Sequence, residues 1–120
     1  MANETVLSAS LACTVNGATV NASASKVSSN ASGNIFANVQ NIGTSTEQID
    51  LGEATFTVLY WYFKNLDSTN YVEIGLNTPL TQKATKLQAG EFALIPSASS
   101  TMYALANTSA VNLQIIAVGA

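Results

Sequence analysis

Phe56-Thr57-Val58-Leu59-Tyr60-Trp61-Tyr62-Phe63 decides how this chain is read. The run holds the only tryptophan, two of the four tyrosines and two of the four phenylalanines. Aromatic and β-branched residues at this density indicate a strand. Strict alternation puts Phe56, Val58, Tyr60 and Tyr62 on one face and Thr57, Leu59, Trp61 and Phe63 on the other. A half-buried strand is polar at every second position, whereas this one is apolar on both sides. Both faces therefore need cover. The chain's own core supplies one. In a chain of 120 residues the other is expected from a second copy, which makes Phe56, Val58, Tyr60, Trp61, Tyr62 and Phe63 the candidate oligomer or partner interface.

Upstream, residues 4–15 alternate, with Leu7, Ala9, Leu11, Cys13 and Val15 on one face and Ser8, Ser10 and Thr14 on the other. Asn16-Gly17 accepts positive φ at both central turn positions and signals a two-residue hairpin. The return strand, 18–27, turns Ala18, Val20, Ala22 and Ala24 inward. Residues 34–42 carry Ile35, Phe36, Val39 and Ile42 near helical spacing. Asn34, Asn38 and Asn41 are poor helix residues, so a strand is preferred. A short strand over 48–51 precedes the aromatic run. Beyond that run, Asn65 to Asn70 form a turn, and a strand over 71–74 is expected to pair with the aromatic strand as a hairpin. Residues 76–86 read as irregular around Pro79. Strands are expected over 91–95, 101–106 and 111–117. The sum is an all-β chain of eight or nine short strands with no helix, best fitted by a two-sheet β-sandwich, jelly-roll-like. Length argues for one domain over 1–120, with an extended N-terminal segment over 1–6.

Charged residues make up only 9% of the chain and the net charge is −3, with no arginine and no histidine. Lys26, Lys64, Lys83 and Lys86 form no basic cluster in the sequence, which argues against nucleic-acid and anionic-membrane partners. No apolar run approaches a membrane span, and Met1-Ala2-Asn3-Glu4 lacks a basic secretory leader. A weakly charged surface keeps molecules apart poorly and suits an assembly. The single cysteine, Cys13, is expected to be a small buried apolar residue.

Little in the sequence supports catalysis. Without histidine there is neither a Ser-His nor a Cys-His pair. Glu73 and Glu91 are the one carboxylate pair worth testing for glycoside chemistry. Glu47, Asp50 and Glu53 are close enough to suggest calcium, but they lack the spacing of a calcium loop. Neither reading outweighs solvated acids at strand edges, so no enzyme, cofactor or metal is expected. Tyr60, Trp61 and Tyr62, or Tyr103, offer rings for stacking a sugar, which keeps a carbohydrate-binding or adhesin-like module open as an alternative.

Three stretches carry a family likeness: Asn65-Leu66-Asp67-Ser68-Thr69-Asn70-Tyr71-Val72-Glu73-Ile74-Gly75, Leu87-Gln88-Ala89-Gly90-Glu91-Phe92-Ala93-Leu94-Ile95-Pro96 and Tyr103-Ala104-Leu105-Ala106-Asn107-Thr108. With Gly43-Thr44-Ser45 and Ile49-Asp50-Leu51-Gly52, they resemble small structural proteins of tailed bacteriophages, capsid decoration (cement) proteins among them. The likeness spans about residues 40–118 and rests on turns and strand ends. It implies a β-sandwich that self-associates, with a trimer favoured. It further implies assembly in the host cytoplasm onto the capsid surface, with the major capsid protein or another virion protein as partner. A tail or neck component is the other location it allows. It brings no catalytic residues.

Overall fold

Asn16 (φ 51°) and Gly17 (φ 80°) both adopt positive φ, as the hairpin reading requires. The computed structural model describes residues 4–29, 34–52 and 54–119. Its contacts divide the chain into two units, 1–33 and 34–120. In the first, β1 (Glu4–Val15) pairs antiparallel with β2 (Ala18–Ser29) without a register break, from Val15↔Ala18 at the turn to Glu4↔Ser29 at the base. Of the expected extended segment, residues 1–3 lie outside the described residues and 4–6 open β1. Cys13 is exposed, a correction to the buried small residue expected. It sits on the ribbon's apolar face, and a two-stranded ribbon has no second layer of its own.

The second unit contains β3 (Asn34–Ile42), β4 (Glu47–Gln48), β5 (Val58–Asn65), β6 (Val72–Gly75), β7 (Lys83–Leu87), β8 (Phe92–Pro96), β9 (Tyr103–Ala106) and β10 (Val111–Gly119). Two four-stranded sheets result, ordered β3-β10-β5-β8 and β4-β9-β6-β7. With β1 and β2 there are ten strands and no helix among the described residues. The all-β fold is as expected, with a strand more than anticipated. Four pairs are nested: β3·β10, β4·β9, β5·β8 and β6·β7. That is a long antiparallel ribbon folded on itself, with β10·β5 and β9·β6 closing the two sheets.

Inward residues of both sheets form one core. Trp61, Phe63, Leu113 and Ile115 come from one sheet, and Val72, Ile74, Leu87 and Ala104 from the other. Trp61 and Phe63 stack with centroids 5.3 Å apart. The Trp61 indole N–H donates to the Ser99 carbonyl at 3.1 Å, so burying it leaves no polar atom unpaired.

Two sequence expectations fail here for identifiable reasons. The first concerns parity. β10 advances one residue, from Val118 to Gly119, while β5 advances two, from Tyr60 to Val58. This bulge turns Val58 into the core, 3% exposed, and leaves Leu59 outside. Its displaced backbone groups find other partners: Val58 N–H donates to Ser100 Oγ at 3.0 Å, and Leu59 carbonyl accepts from Ser97 N–H at 2.8 Å. Phe56 continues the inward series and packs where Gly119 has no side chain; a Cβ there would overlap its ring.

The second concerns pairing. β5 and β6 do not form a hairpin but lie in different sheets, and β6 pairs instead with β7, a strand in the stretch read as irregular. Asn65 makes the crossing possible. It is fully buried. Its Nδ2 donates to the carbonyls of Asn70 (2.9 Å) and Leu87 (3.0 Å), and its Oδ1 accepts from Asp67 N–H (2.9 Å). Asp67 then accepts from Thr69 and Asn70 N–H groups. The turn thus bonds to itself and to the start of the opposite sheet, and carries the chain across the core.

Candidate functional site

The two sheets present different outer faces. On the β4-β9-β6-β7 sheet, Glu73 pairs with Lys83 at 3.0 Å, and Lys86 Nζ stands 3.9 Å above the Tyr71 ring. That side carries charge. On the β3-β10-β5-β8 sheet, register sets the outward residues in rows. Ile35, Val118, Tyr60 and Pro96 make one row, and Ala37, Ile116, Tyr62 and Leu94 the next. Val39, Gln114, Lys64 and Phe92 make a third. Asn41 and Asn112 follow, joined Nδ2 to Oδ1 at 3.0 Å. The face grades from wholly apolar to polar along the strands.

Ile35 and Phe92, at opposite edges, are 68% and 66% exposed. The Tyr62 and Phe92 rings stack at 6.5 Å. Four strands about 4.8 Å apart and three rows about 7 Å apart give a patch of about 400 Å². The largest apolar patch on a typical monomer is of this size and is often functional. The reading that the aromatic strand is apolar on both sides therefore has its structural counterpart: Trp61 and Phe63 meet the core, and Tyr60 and Tyr62 face outward.

The structure thereby divides the six candidate interface residues. Val58, Trp61 and Phe63 are buried in the chain's own core, and Phe56 packs partly buried against it. Only Tyr60 and Tyr62 stand on the outer face. Ile35, Val39, Phe92, Leu94, Ile116 and Val118 join them there, and sequence reasoning did not single these out. One signal existed: along 112–118 the second parity changes from Asn112 and Gln114 to Ile116 and Val118, so β10 is apolar on both faces at its C-terminal end. Trp61, enclosed at 1% exposure, cannot stack a ligand.

The carboxylates are engaged locally. Glu47 Oε2 accepts from Gly43 N–H and its Oε1 from Gln40 Nε2. Asp50 Oδ1 accepts from Gly52 N–H at 2.7 Å, and Asp50 N–H donates to Gln40 Oε1. Gln40 thus pins the 43–52 loop to β3. Glu53 lies outside the described residues, and no metal-holding cluster occurs among those described. Glu73 is committed to Lys83, and Glu91 Oε1 accepts from Gln88 N–H at 2.7 Å. An open cleft of about 630 Å³ lies beside this loop, lined by Gln40, Gln48, Asp50, Thr55, Phe56 and Thr101 among others.

Comparison with protein-family models, curated proteins and solved structures found no match.

Proposed function

We propose that this chain is a non-enzymatic structural protein of a virion, a capsid decoration (cement) protein that self-associates and binds between major capsid subunits. The observation that carries the proposal is the apolar outer face around Ile116, Tyr60 and Tyr62, set against the charged outer face of the opposite sheet. Two further features support it. The nested strand order is compatible with a jelly roll, an architecture used by viral capsid domains, and residues 40–118 resemble phage structural proteins.

Covering one such patch with a neighbouring copy in a ring would remove about 800 Å² from water, short of the 1,200–2,000 Å² of a stable complex. One contact is then weak, and a shell that presents many sites at once supplies the avidity. The favoured unit is a trimer on the capsid surface, assembled in the host cytoplasm.

Co-sedimentation with empty shells and with isolated tails of the phage that encodes the chain tests the proposal. Saturable binding to shells, with a raised shell melting temperature, is expected. Binding to tails alone would move the protein to the tail or neck, and binding to neither would overturn the virion reading. The polar cleft beside Asp50 favours a second reading, a carbohydrate-recognising module. A glycan array positive for the isolated protein, without shell binding, would select it.

A further inference from the structure

We infer that the cleft bounded by residues 48–52, 54–56 and 100–101 binds a neutral, hydroxyl-rich ligand, a saccharide held through the side chains of Gln48, Asp50, Thr55 and Thr101. The site rests on the carbohydrate-recognising reading and gives it residues and a ligand class. It lies away from the outer face of the aromatic strand, so it does not compete with the contact between copies.

The walls of the cleft are bonded to one another without a ligand. Ile49 N–H donates to the Met102 carbonyl at 2.8 Å, which ties the 48–52 wall to the segment carrying 100–101. Ser100 Oγ accepts from Val58 N–H at 3.0 Å, and Ala54 N–H donates to the Leu51 carbonyl at 3.1 Å. Gln40 braces the first wall from β3: its Oε1 accepts from Asp50 N–H at 2.8 Å, and its Nε2 donates to the Gln48 carbonyl at 3.1 Å. Side chains set on such a frame are held in place before binding. At about 630 Å³ the cleft has the size of a small-molecule site, about 300–1,000 Å³.

Polar groups left unspent converge on this space. Asp50 Oδ1 is taken by Gly52 N–H, but its Oδ2 accepts no bond among the described residues. The side chains of Gln48, Thr55 and Thr101 likewise make none. Singly, exposed Gln and Thr side chains are ordinary; here four polar groups edge one braced concavity. They offer a carboxylate oxygen, an amide that both donates and accepts, and two hydroxyls that can do either. Leu51 and Phe56 add an apolar side. A sugar ring matches that combination, with hydroxyls around its rim and C–H groups on its faces for an aromatic ring to meet. Charge disfavours the other ligand classes. No cation lines the cleft, so a phosphate or carboxylate would lack a counter-charge. One carboxylate is too few for a divalent ion, and no metal-holding cluster occurs among the described residues.

Backbone amide NMR of the full-length protein, titrated with D-glucose, D-galactose, D-mannose, N-acetyl-D-glucosamine and their disaccharides, tests the site. For at least one sugar, saturable shifts are expected at the amides of Gln48, Asp50, Thr55 and Thr101. Gln48→Met and Thr101→Val remove polar groups with little change of shape, and each should weaken that binding at least five-fold. Ser109→Ala, in a turn outside the cleft, should not. Unchanged Trp61 emission certifies that each variant is folded. Binding that both cleft variants retain at parental strength would overturn the site. Saturable shifts centred on Tyr60, Tyr62 and Phe92 would overturn it too, while leaving a carbohydrate module standing. No saturable shift with any of these sugars would overturn the site, and a negative glycan array would then remove the carbohydrate reading with it. The virion proposal stands in each of these cases.

Discussion

Replacing Asn65 by alanine tests how the chain crosses between sheets. The side chain makes three hydrogen bonds, to the Leu87 carbonyl, the Asn70 carbonyl and the Asp67 N–H. The bond to Leu87 is buried, so its loss strands a carbonyl away from water at about 1–3 kcal/mol. The other two are part-buried, where water replaces the lost partner, and they add about 0.5–1 kcal/mol each. The sum is about 3 kcal/mol, or a fall in Tm of about 12–20 °C for a unit of this size. Asn65→Asp should cost more than the alanine, since a buried carboxylate would face two carbonyl acceptors in place of a donor. Trp61, the sole tryptophan and fully enclosed, reports unfolding by fluorescence in a urea titration. The alanine variant should lose about 3 kcal/mol with its m-value unchanged. A loss under about 0.5 kcal/mol, the scatter of ordinary surface substitutions, would refute the role given to this side chain.

Gly119→Ala should destabilise by about 1–3 kcal/mol, because the new methyl overlaps the Phe56 ring. The double variant with Phe56→Ala should cost less than the sum of the two single changes, as a thermal melt of all three will show. Asp67 contributes to acid stability. Backbone N–H groups of Asn70 first and Thr69 second hold its carboxyl below the ordinary value of 3.8. A depressed folded pKa means the contribution is present above that value and lost as pH falls through the folded pKa. Asp67→Asn, which keeps an acceptor but no charge, should trail the parent at pH 7 and converge with it as pH falls below 3.8 and through the folded pKa. Parallel urea midpoints across that range would disprove the assignment.

Much of the fold was legible because alternation and turn chemistry agreed. The Asn16-Gly17 hairpin lies where it was read, and 34–42 is a strand despite its helix-like spacing. Three things were hidden. Parity counting assumes an unbroken ladder, so the bulge at Val58–Tyr60 misplaced Val58 and Leu59. The β5–β6 hairpin was inferred from a turn between neighbouring strands, but the Asn65 bonds that send the chain to the opposite sheet join residues up to 22 apart in sequence. The interface candidates were drawn from the aromatic run alone. Its front and back do different work: Trp61 and Phe63 fill the core, while Tyr60 and Tyr62 join β3, β8 and β10 residues that only sheet order brings together.

The central claim is that the outer face of the β3-β10-β5-β8 sheet joins copies of this chain. Sedimentation equilibrium of the purified protein and of Ile116→Asp addresses it most directly, with Asn112→Asp on the same strand and face as the control at the polar end. The account predicts a concentration-dependent oligomer for the parent and for Asn112→Asp, with association by Ile116→Asp weakened at least thirty-fold and its enclosed Trp61 emission unchanged. A parent that sediments at 12.5 kDa across the whole range, or an Ile116→Asp variant that associates as tightly as the parent, would contradict it.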